Sequence, residues 1–219
     1  AFPCVSRDGR SLVFRHLFDL YRLHPGKDEP PVRLEIWDDS DSDKSPIERR
    51  SLAQAAEVAF SDDGLEVAFI AGGDLWVMDT ELREPRQITK TPEEERDPVF
   101  APDGNAILFT SDQGGQCDLW RAQRERPEQF WWQNDRFKLD RLTEDADVEQ
   151  DLQWSPEGTR VAFIKGNGDL WTLDPQRGAA QRVLKSWNRP QYQWSPDGKW
   201  FVTAMDDANF NADIWLLHA

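Results

Sequence analysis

The sequence is poor in the side chains on which metal and thiol chemistry depends. Its 219 residues include only two cysteines, three histidines and two methionines. Cys4 and Cys117 lie far apart, which argues against a disulfide framework and favours two buried free thiols. His16, His24 and His218 have no zinc-ligand spacing with one another. We therefore predict no metal site and no cofactor, and the cysteine count leaves the compartment open between cytoplasm and periplasm.

Other absences exclude further classes of protein. The chain has no apolar run of about 20 residues that could span a membrane, and Ala1–Cys4 resembles the middle of a strand rather than a signal sequence. It has no Gly-x-Ser-x-Gly elbow and no phosphate-binding glycine loop. Lys and Arg number 26 against 41 Asp and Glu, a net charge of −15. Nucleic acid and anionic membranes are therefore not expected partners, whereas cationic peptide ends are compatible; solubility is the simpler explanation of the charge.

What the chain does have is an internal repeat. A small residue, any residue or proline, an acid and a glycine recur five times, each time before an apolar strand. The copies are Ser6–Gly9, Ser61–Gly64, Ala101–Gly104, Ser155–Gly158 and Ser195–Gly198. The glycines lie 40 to 55 residues apart. A strand-rich unit of this length is typical of a β-propeller.

The strand after each turn is apolar on both faces, which predicts that it lies inside a stack of sheets. Two more phrases follow it in each unit. One opens a third strand: Asp19-Leu20-Tyr21, Asp74-Leu75-Trp76, Asp118-Leu119-Trp120, Asp169-Leu170-Trp171 and Asp213-Ile214-Trp215. The other closes the unit: Arg33-Leu34-Glu35, Gln87-Ile88-Thr89, Arg141-Leu142-Thr143 and Arg182-Val183-Leu184. With a strand before each turn, this makes four antiparallel strands per blade, with blades at 1–50, 51–92, 93–146, 147–186 and 187–219.

Two blades carry insertions. The acidic segment 38–45 has carboxylates at alternate positions, as a calcium loop does, but Lys44 and Arg50 replace the glycine and the bidentate glutamate of such a loop. A solvated loop is the favoured interpretation and metal binding the alternative. The insertion 121–139 contains Phe130, Trp131 and Trp132, three aromatics that one strand face cannot bury together. They either cap the core of their own blade or form a contact surface for a neighbouring domain or subunit.

A polar residue recurs just before each of four innermost strands, three positions before the aromatic residue that ends the strand. Glu57, Asp97, Asp151 and Gln191 precede Phe60, Phe100, Trp154 and Trp194 in this way. Innermost strands line the central tunnel of a propeller, so these residues are predicted to form a ring at one tunnel mouth. They either satisfy strand-end amides or create a negative entrance that attracts peptide N-termini and other cations.

The repeat resembles that of a known family. Ser-Pro-Asp-Gly, a strand ending in Phe, Asp-Leu-Trp and Arg-x-Leu-Thr are similar to the propeller repeats of the Tol-system translocation protein and of the tricorn protease. The stretches 59–69 and 87–98 resemble the propeller region of tricorn-type peptidases. The resemblance covers the whole chain. It implies a non-catalytic part of a tail-specific serine peptidase, which guides or filters peptides and contacts the PDZ and peptidase domains of the same parent chain.

The family's catalytic residues have no counterpart here, so no catalytic residue is assigned. The five units are expected to form part of a six- or seven-bladed ring, or an open arc whose exposed blade faces favour a homo-oligomer. Two alternatives remain. The chain is a stand-alone interaction module like the Tol-system propeller, or a propeller enzyme, such as a lyase or glycosidase, that works at its tunnel mouth.

Overall fold

The computed structural model describes residues 3–35, 54–144, 146–206 and 211–219. The protein is all-β. Among the described residues the only helix is a 3₁₀ turn of three residues, Trp131–Gln133, which is too short to cross a bilayer. The segment 38–45, predicted to be a solvated loop with calcium binding as the alternative, lies outside the described residues. The chain divides into two compact units, Ala1–Ser51 and Leu52–Ala219.

The first unit contains one antiparallel sheet, which we call blade one. Its strands pair in the order β1-β2-β3-β4. They are β1 (Cys4–Val5), β2 (Leu12–His16), β3 (Asp19–Leu23) and β4 (Val32–Leu34).

The second unit contains four sheets, blades two to five. Blade two consists of β5 (Glu57–Phe60), β6 (Glu66–Ala71), β7 (Asp74–Asp79) and β8 (Arg86–Gln87). Blade three consists of β9 (Glu95–Phe100), β10 (Ala106–Ser111), β11 (Asp118–Arg124) and β12 (Phe137–Arg141). Blade four consists of β13 (Glu149–Trp154), β14 (Val161–Lys165), β15 (Asp169–Asp174) and β16 (Ala179–Leu184). Blade five consists of β17 (Gln191–Trp194), β18 (Trp200–Asp206) and β19 (Ala212–His218). Neighbouring strands pair antiparallel in chain order, which confirms the predicted all-β fold of antiparallel four-stranded blades, with three strands described in blade five.

The repeated turns join the first two strands of every blade. Their five glycines have φ between 67° and 70°, a left-handed conformation that a Cβ would disfavour. In blades one, two and five the acid before the glycine accepts a hydrogen bond from the serine that starts the turn, for example from Ser61 Oγ to Asp63 Oδ1 at 2.6 Å. This bond, together with a backbone N–H donated by Leu65, lowers the pKa of the Asp63 carboxyl. The turn phrase therefore sets each inner hairpin locally.

The core of the second unit lies between its blades. One cluster joins Ala68 and Leu75 of blade two to Ile107 and Phe109 of blade three. Two further clusters join blade three to blade four and blade four to blade five. Because burying a Phe or Leu side chain contributes about 1.5–3 kcal/mol, face-to-face contact between sheets is the main source of stability of this unit.

The cysteine prediction is wrong for one residue. Both thiols are free, and Cys117 is buried, but Cys4 is exposed. Cys4 lies in β1, a strand of only two residues. So short a strand pairs through its backbone without covering its side chains.

Candidate functional site

A cavity of about 700 Å³ opens at the innermost strands of the second unit. All four of its blades contribute to the wall. Its lining residues are Glu57, Val58, Asp97, Pro98, Val99, Asp151, Leu152, Gln153, Arg189, Pro190, Gln191 and Tyr192. The cavity is therefore assembled from equivalent segments of successive blades.

The four residues predicted to form a ring all line this cavity. Glu57 and Gln191 are the first residues of β5 and β17, whereas Asp97 and Asp151 are the third residues of β9 and β13. All four residues were predicted to lie just before their strands, but β5 and β17 begin one residue earlier than predicted and β9 and β13 three residues earlier. The structure thus places all four residues in the wall of one cavity.

Two of the ring residues have an unusual backbone. Asp97 has φ of 51° and Asp151 has φ of 59°. The pairing of β9 with β10 and of β13 with β14 shifts register at these places. A β-bulge leaves its extra residue outside the ladder, so the N–H groups of Asp97 and Asp151 are free for other acceptors.

Each of these two N–H groups donates a hydrogen bond to a carboxylate of the preceding blade. The Asp97 amide donates to Glu57 Oε2. The Asp151 amide donates to Asp97 Oδ2 at 2.7 Å. Blade three is thus tied to blade two, and blade four to blade three, by a carboxylate–amide hydrogen bond of the stronger, charge-assisted kind.

The chain of contacts ends in blade five with a cation. The Arg189 guanidinium donates through Nε and Nη2 to the two carboxylate oxygens of Asp151. The Tyr192 hydroxyl donates to the Asp151 carbonyl oxygen. The sequence pattern missed both residues, because Arg189 lies two positions before the ring position and Tyr192 one after it. A break in the repeat could have identified Arg189. The residue two positions before the ring position is glutamate in blades three and four, whereas it is arginine in blade five.

The charged residues of the cavity wall are not evenly distributed among the four blades. Three carboxylates and one guanidinium give its lining a formal charge of −2. Burial raises the pKa of Asp97, and the nearby charges of Glu57 and Asp151 add to the rise, while the Asp151 amide and Arg189 oppose it. The ion pair with Asp151 raises the pKa of Arg189. Negative charge is therefore neutralised at blades four and five and remains on Glu57 and Asp97.

The Tyr192 hydroxyl of this site is already engaged in a hydrogen bond. Tyr192 is buried and its hydroxyl is engaged with backbone; burial raises its pKa far above the ordinary value, and the charges of Asp151 and Asp97 contribute. In the described ranges no three His, Cys, Asp or Glu side chains are grouped to hold a metal ion. The arrangement suits recognition of a cationic group by fixed carboxylates.

The three aromatics of the blade-three insertion have different environments. Trp131 is fully buried in the cluster between blades two and three, where its ring stacks 5.9 Å from Phe137. Its amide donates to Glu66 Oε1 of blade two at 2.7 Å. Phe130 is 44% exposed, and Trp132 is half-buried. Trp131 thus caps an interblade core rather than the core of its own blade alone, and Phe130 is the one exposed residue of the three.

Comparisons with known proteins agree on the fold. No protein-family model matches the chain. The uncharacterized peptidase YuxL of Bacillus subtilis (strain 168) is 26% identical over 178 residues, which are 75% of this chain and 24% of YuxL. TolB from Acinetobacter baumannii superposes with a TM-score of 0.59 at 18% identity, over 100% of this chain and 54% of that one. The tricorn protease superposes with a TM-score of 0.59 at 14% identity, over 97% of this chain and 20% of that one. The chain has the propeller fold found in TolB and tricorn structures, and it spans about a quarter of the length of the peptidase it matches.

Proposed function

We propose that this chain is a non-catalytic propeller segment of a tricorn-like serine peptidase, in which it guides or filters peptide substrates and contacts neighbouring domains. The observation that carries the proposal is the cavity at the innermost strands, whose lining has a formal charge of −2. Fixed negative charge at a cavity mouth raises the local concentration of cations such as peptide N-termini. The similarity to YuxL over three quarters of this chain supports a peptidase as the parent protein.

Peptide entry is directed by Glu57 and Asp97 in this proposal. Asp151 is neutralised by Arg189, so a peptide ammonium group finds its unpaired charge on the side of blades two and three. Val58, Pro98 and Pro190 provide apolar wall beside the carboxylates. Such a wall accepts side chains of many kinds, which suits a filter that selects for charge and not for sequence.

The test is the affinity of the full chain for a short labelled peptide with a free N-terminus and no other charge. Glu57→Gln and Asp97→Asn keep the oxygens that accept the amides of Asp97 and Asp151 but remove the charge. Each variant should weaken binding roughly three- to tenfold, with a smaller salt dependence. Glu128→Gln, which removes an exposed charge outside the cavity, is the matched control and should change nothing.

Two results would contradict the proposal. One is unchanged affinity in both cavity variants with the thermal unfolding temperature preserved. The other is equal binding of the N-acetylated peptide, because acetylation removes the cation that the carboxylates are proposed to attract.

A second candidate is a stand-alone interaction module like TolB. It is favoured by the superposition of TolB on the whole described chain. The reading frame distinguishes the two: PDZ and peptidase sequence downstream supports the peptidase segment, and a reading frame without them supports the module.

A further inference from the structure

Blade three joins its third and fourth strands through a longer segment than its neighbours do. Residues 125–136 separate β11 from β12, whereas only residues 80–85 separate β7 from β8 and residues 175–178 separate β15 from β16. We call residues 125–136 the blade-three loop. Blades two and four pack on the two faces of blade three. The loop therefore belongs to an internal blade, and both neighbours of that blade are described.

Buried contacts fix the conformation of the blade-three loop. The Asn134 side chain is fully buried; its Nδ2 donates to the Phe130 carbonyl at 2.9 Å, and its Oδ1 accepts the Arg126 amide at 2.9 Å. Trp131 is also fully buried, and its amide donates to Glu66 of blade two. A loop that is ordered before binding loses little conformational entropy when a partner docks on it.

The segment that contains this loop has a charge opposite in sign to that of the rest of the chain. Residues 121–141 include six basic and four acidic residues, a net charge of +2. The other 198 residues therefore have a net charge of −17. Solubility does not account for this reversal, because the net negative charge of the chain already serves it.

A cavity of about 550 Å³ lies at the two ends of the blade-three loop, where the loop joins β11 and β12. We call it the basic cavity. The charged residues of its lining are Arg124, Glu125, Arg136 and Lys138, with a formal charge of +2. The cavity at the innermost strands has a lining charge of −2. The two cavities therefore suit ligands of opposite sign.

Two cations of the basic cavity retain positive charge that a ligand can neutralise. Arg136 is exposed, and its guanidinium forms no ion pair with the described part of the chain. The Lys138 side chain is 66% exposed, and its Nζ lies 3.0 Å from Asp140 Oδ2. That same oxygen also pairs with Arg121 Nη2 at 3.1 Å. Because one carboxylate faces two cations, it cannot neutralise both.

Arg124 adds a third positive charge from a fixed position. Its Nη1 donates to the Gln129 carbonyl at 2.7 Å, and its Nη2 donates to Asn105 Oδ1 at 3.0 Å. Its guanidinium lies 5.4 Å from the centre of the Trp131 ring. None of these three partners is negatively charged, although the charge of Arg124 also acts at longer range on Glu66. Arg124 thus makes the wall of the basic cavity positive without forming an ion pair.

Arg136 and Lys138 are two residues apart on extended backbone. The Glu125 amide donates to the Arg136 carbonyl at 3.3 Å, so the pairing of β11 with β12 continues to this residue. Side chains at alternate positions of a strand lie on one face, and their Cα atoms are about 7 Å apart. Carboxylates at alternate positions of an extended peptide have the same separation.

We propose that the basic cavity binds an extended segment of a partner polypeptide with acidic residues at alternate positions. Two of its carboxylates pair with Arg136 and Lys138 through charge-assisted hydrogen bonds. Pro127 and the half-buried Phe137 provide apolar wall beside them. The acidic remainder of the chain repels such a segment elsewhere, which confines binding to this place. The same remainder opposes nucleic acid and anionic membranes, which require a broad positive surface.

The test is the affinity of the full 219-residue chain for the labelled peptide acetyl-Ala-Asp-Ala-Asp-Ala-Asp-Ala-amide. Arg136→Glu should weaken binding at least roughly fivefold, because an attraction becomes a repulsion. Lys138→Gln, which removes one charge, should weaken it roughly two- to threefold. Arg136 is exposed, so its variant is expected to fold, and the thermal unfolding temperature checks it.

The matched control is Arg7→Glu, which makes the same change of net charge at an exposed turn residue of blade one. The equivalent turn position of blade two is already acidic, with Asp62. Arg7→Glu should therefore fold and bind the peptide as the unmodified chain does. A second control is a peptide of the same composition with its three Asp residues consecutive, which should bind more weakly than the alternating peptide.

Four results would overturn the proposal. They are absence of binding to the unmodified chain at about 1 mM peptide, equal affinity of the folded Arg136→Glu variant, equal affinity for the peptide with consecutive Asp residues, and displacement of the peptide by inorganic phosphate at the same concentration. Dimerisation of the chain that Arg136→Glu abolishes would also overturn it, since a second copy would then be the occupant. The acetylated peptide has no ammonium group for the cavity at the innermost strands, so failure here leaves the peptide-guiding function standing.

Discussion

Blade three and blade five carry nearly the same third-strand phrase in opposite environments. Leu119 of Asp118-Leu119-Trp120 is fully buried, while Ile214 of Asp213-Ile214-Trp215 is 78% exposed. In blade three a fourth strand pairs on one side and blade four packs on one face. Blade four packs on one face of blade five as well, but among the described residues blade five has no fourth strand and no further blade on its other face. Burial of a repeated residue is thus conferred by its neighbours and not by its own sequence.

Blades three and five should differ most in how much free energy of unfolding is lost when a tryptophan is replaced by alanine. Trp131→Ala should lower the free energy of unfolding by about 3–5 kcal/mol, because it empties a fully buried site between blades two and three. Trp215→Ala should cost less than about 1 kcal/mol, because half of its side chain already faces solvent. Urea unfolding of both variants measures the difference. Similar losses would mean that β19 is covered in solution.

The contact between Arg141 on the fourth strand of blade three and Asp118 on the third strand offers a second comparison. Arg141→Ala removes a guanidinium from Asp118, whose side chain is fully buried, and should cost about 3 kcal/mol. Asp213→Ala, at the equivalent aspartate of blade five, should stay within about 0.5 kcal/mol. Arg141→Lys is the intermediate case, since it keeps the charge but not the planar donor pair. A loss in Asp213→Ala as large as in Arg141→Ala would show that Asp213 has a partner in the free chain.

The smallest effect concerns pH. Burial raises the pKa of Glu95 in β9 from 4.5 to about 7, the charge of Asp74 adds to the rise, and the hydroxyls of Thr89, Ser111 and Thr91 oppose it. Because the folded pKa lies above the unfolded one, the native state binds more protons between pH 4.5 and 7. Stability from this group is present below pH 4.5 and is lost as pH rises through 7, a change of about 2 kcal/mol.

Glu95→Gln should remove this part of the pH dependence. The measurement is urea unfolding at pH 5 and pH 8, with exposed Glu94→Gln as the neighbouring control. Blade five has Arg189 at the position of Glu95, so it should contribute no such dependence. An unchanged pH profile in Glu95→Gln would show that the carboxyl titrates normally.

Much of the fold could be predicted from the sequence, because a turn phrase acts locally and five copies of it reinforce one another. The ring positions Glu57, Asp97, Asp151 and Gln191 followed from a constant offset. Arg189 did not, because it breaks that offset. The repeated phrases of the third and fourth strands were visible in the sequence, but the hydrogen bonds between them were not. They join residues 13 to 23 positions apart, such as Asp74 with Gln87 and Asp118 with Arg141, and they form only once the two strands pair.

The aromatic insertion and Cys4 of blade one also show that local sequence patterns do not predict burial that depends on distant residues. Three adjacent aromatics have one local pattern, yet Trp131 is buried and Phe130 is exposed, because Glu66 of another blade accepts the Trp131 amide. Cys4 is exposed although its residue type favours burial. In each case a partner distant in sequence, or its lack, decides the outcome.

A protein built from self-similar units must keep those units in order during folding. Thr89 of blade two donates to Glu95 of blade three, and Thr143 of blade three donates to Glu149 of blade four. At the next junction both members change: Leu184 replaces the threonine and Arg189 replaces the glutamate. If blade five followed blade two or blade three, a threonine hydroxyl would face Arg189. If blade three followed blade four, Leu184 would face the buried Glu95. The first two junctions share one pair of side chains and the third differs, so these contacts favour blade five over the other blades as the neighbour that follows blade four.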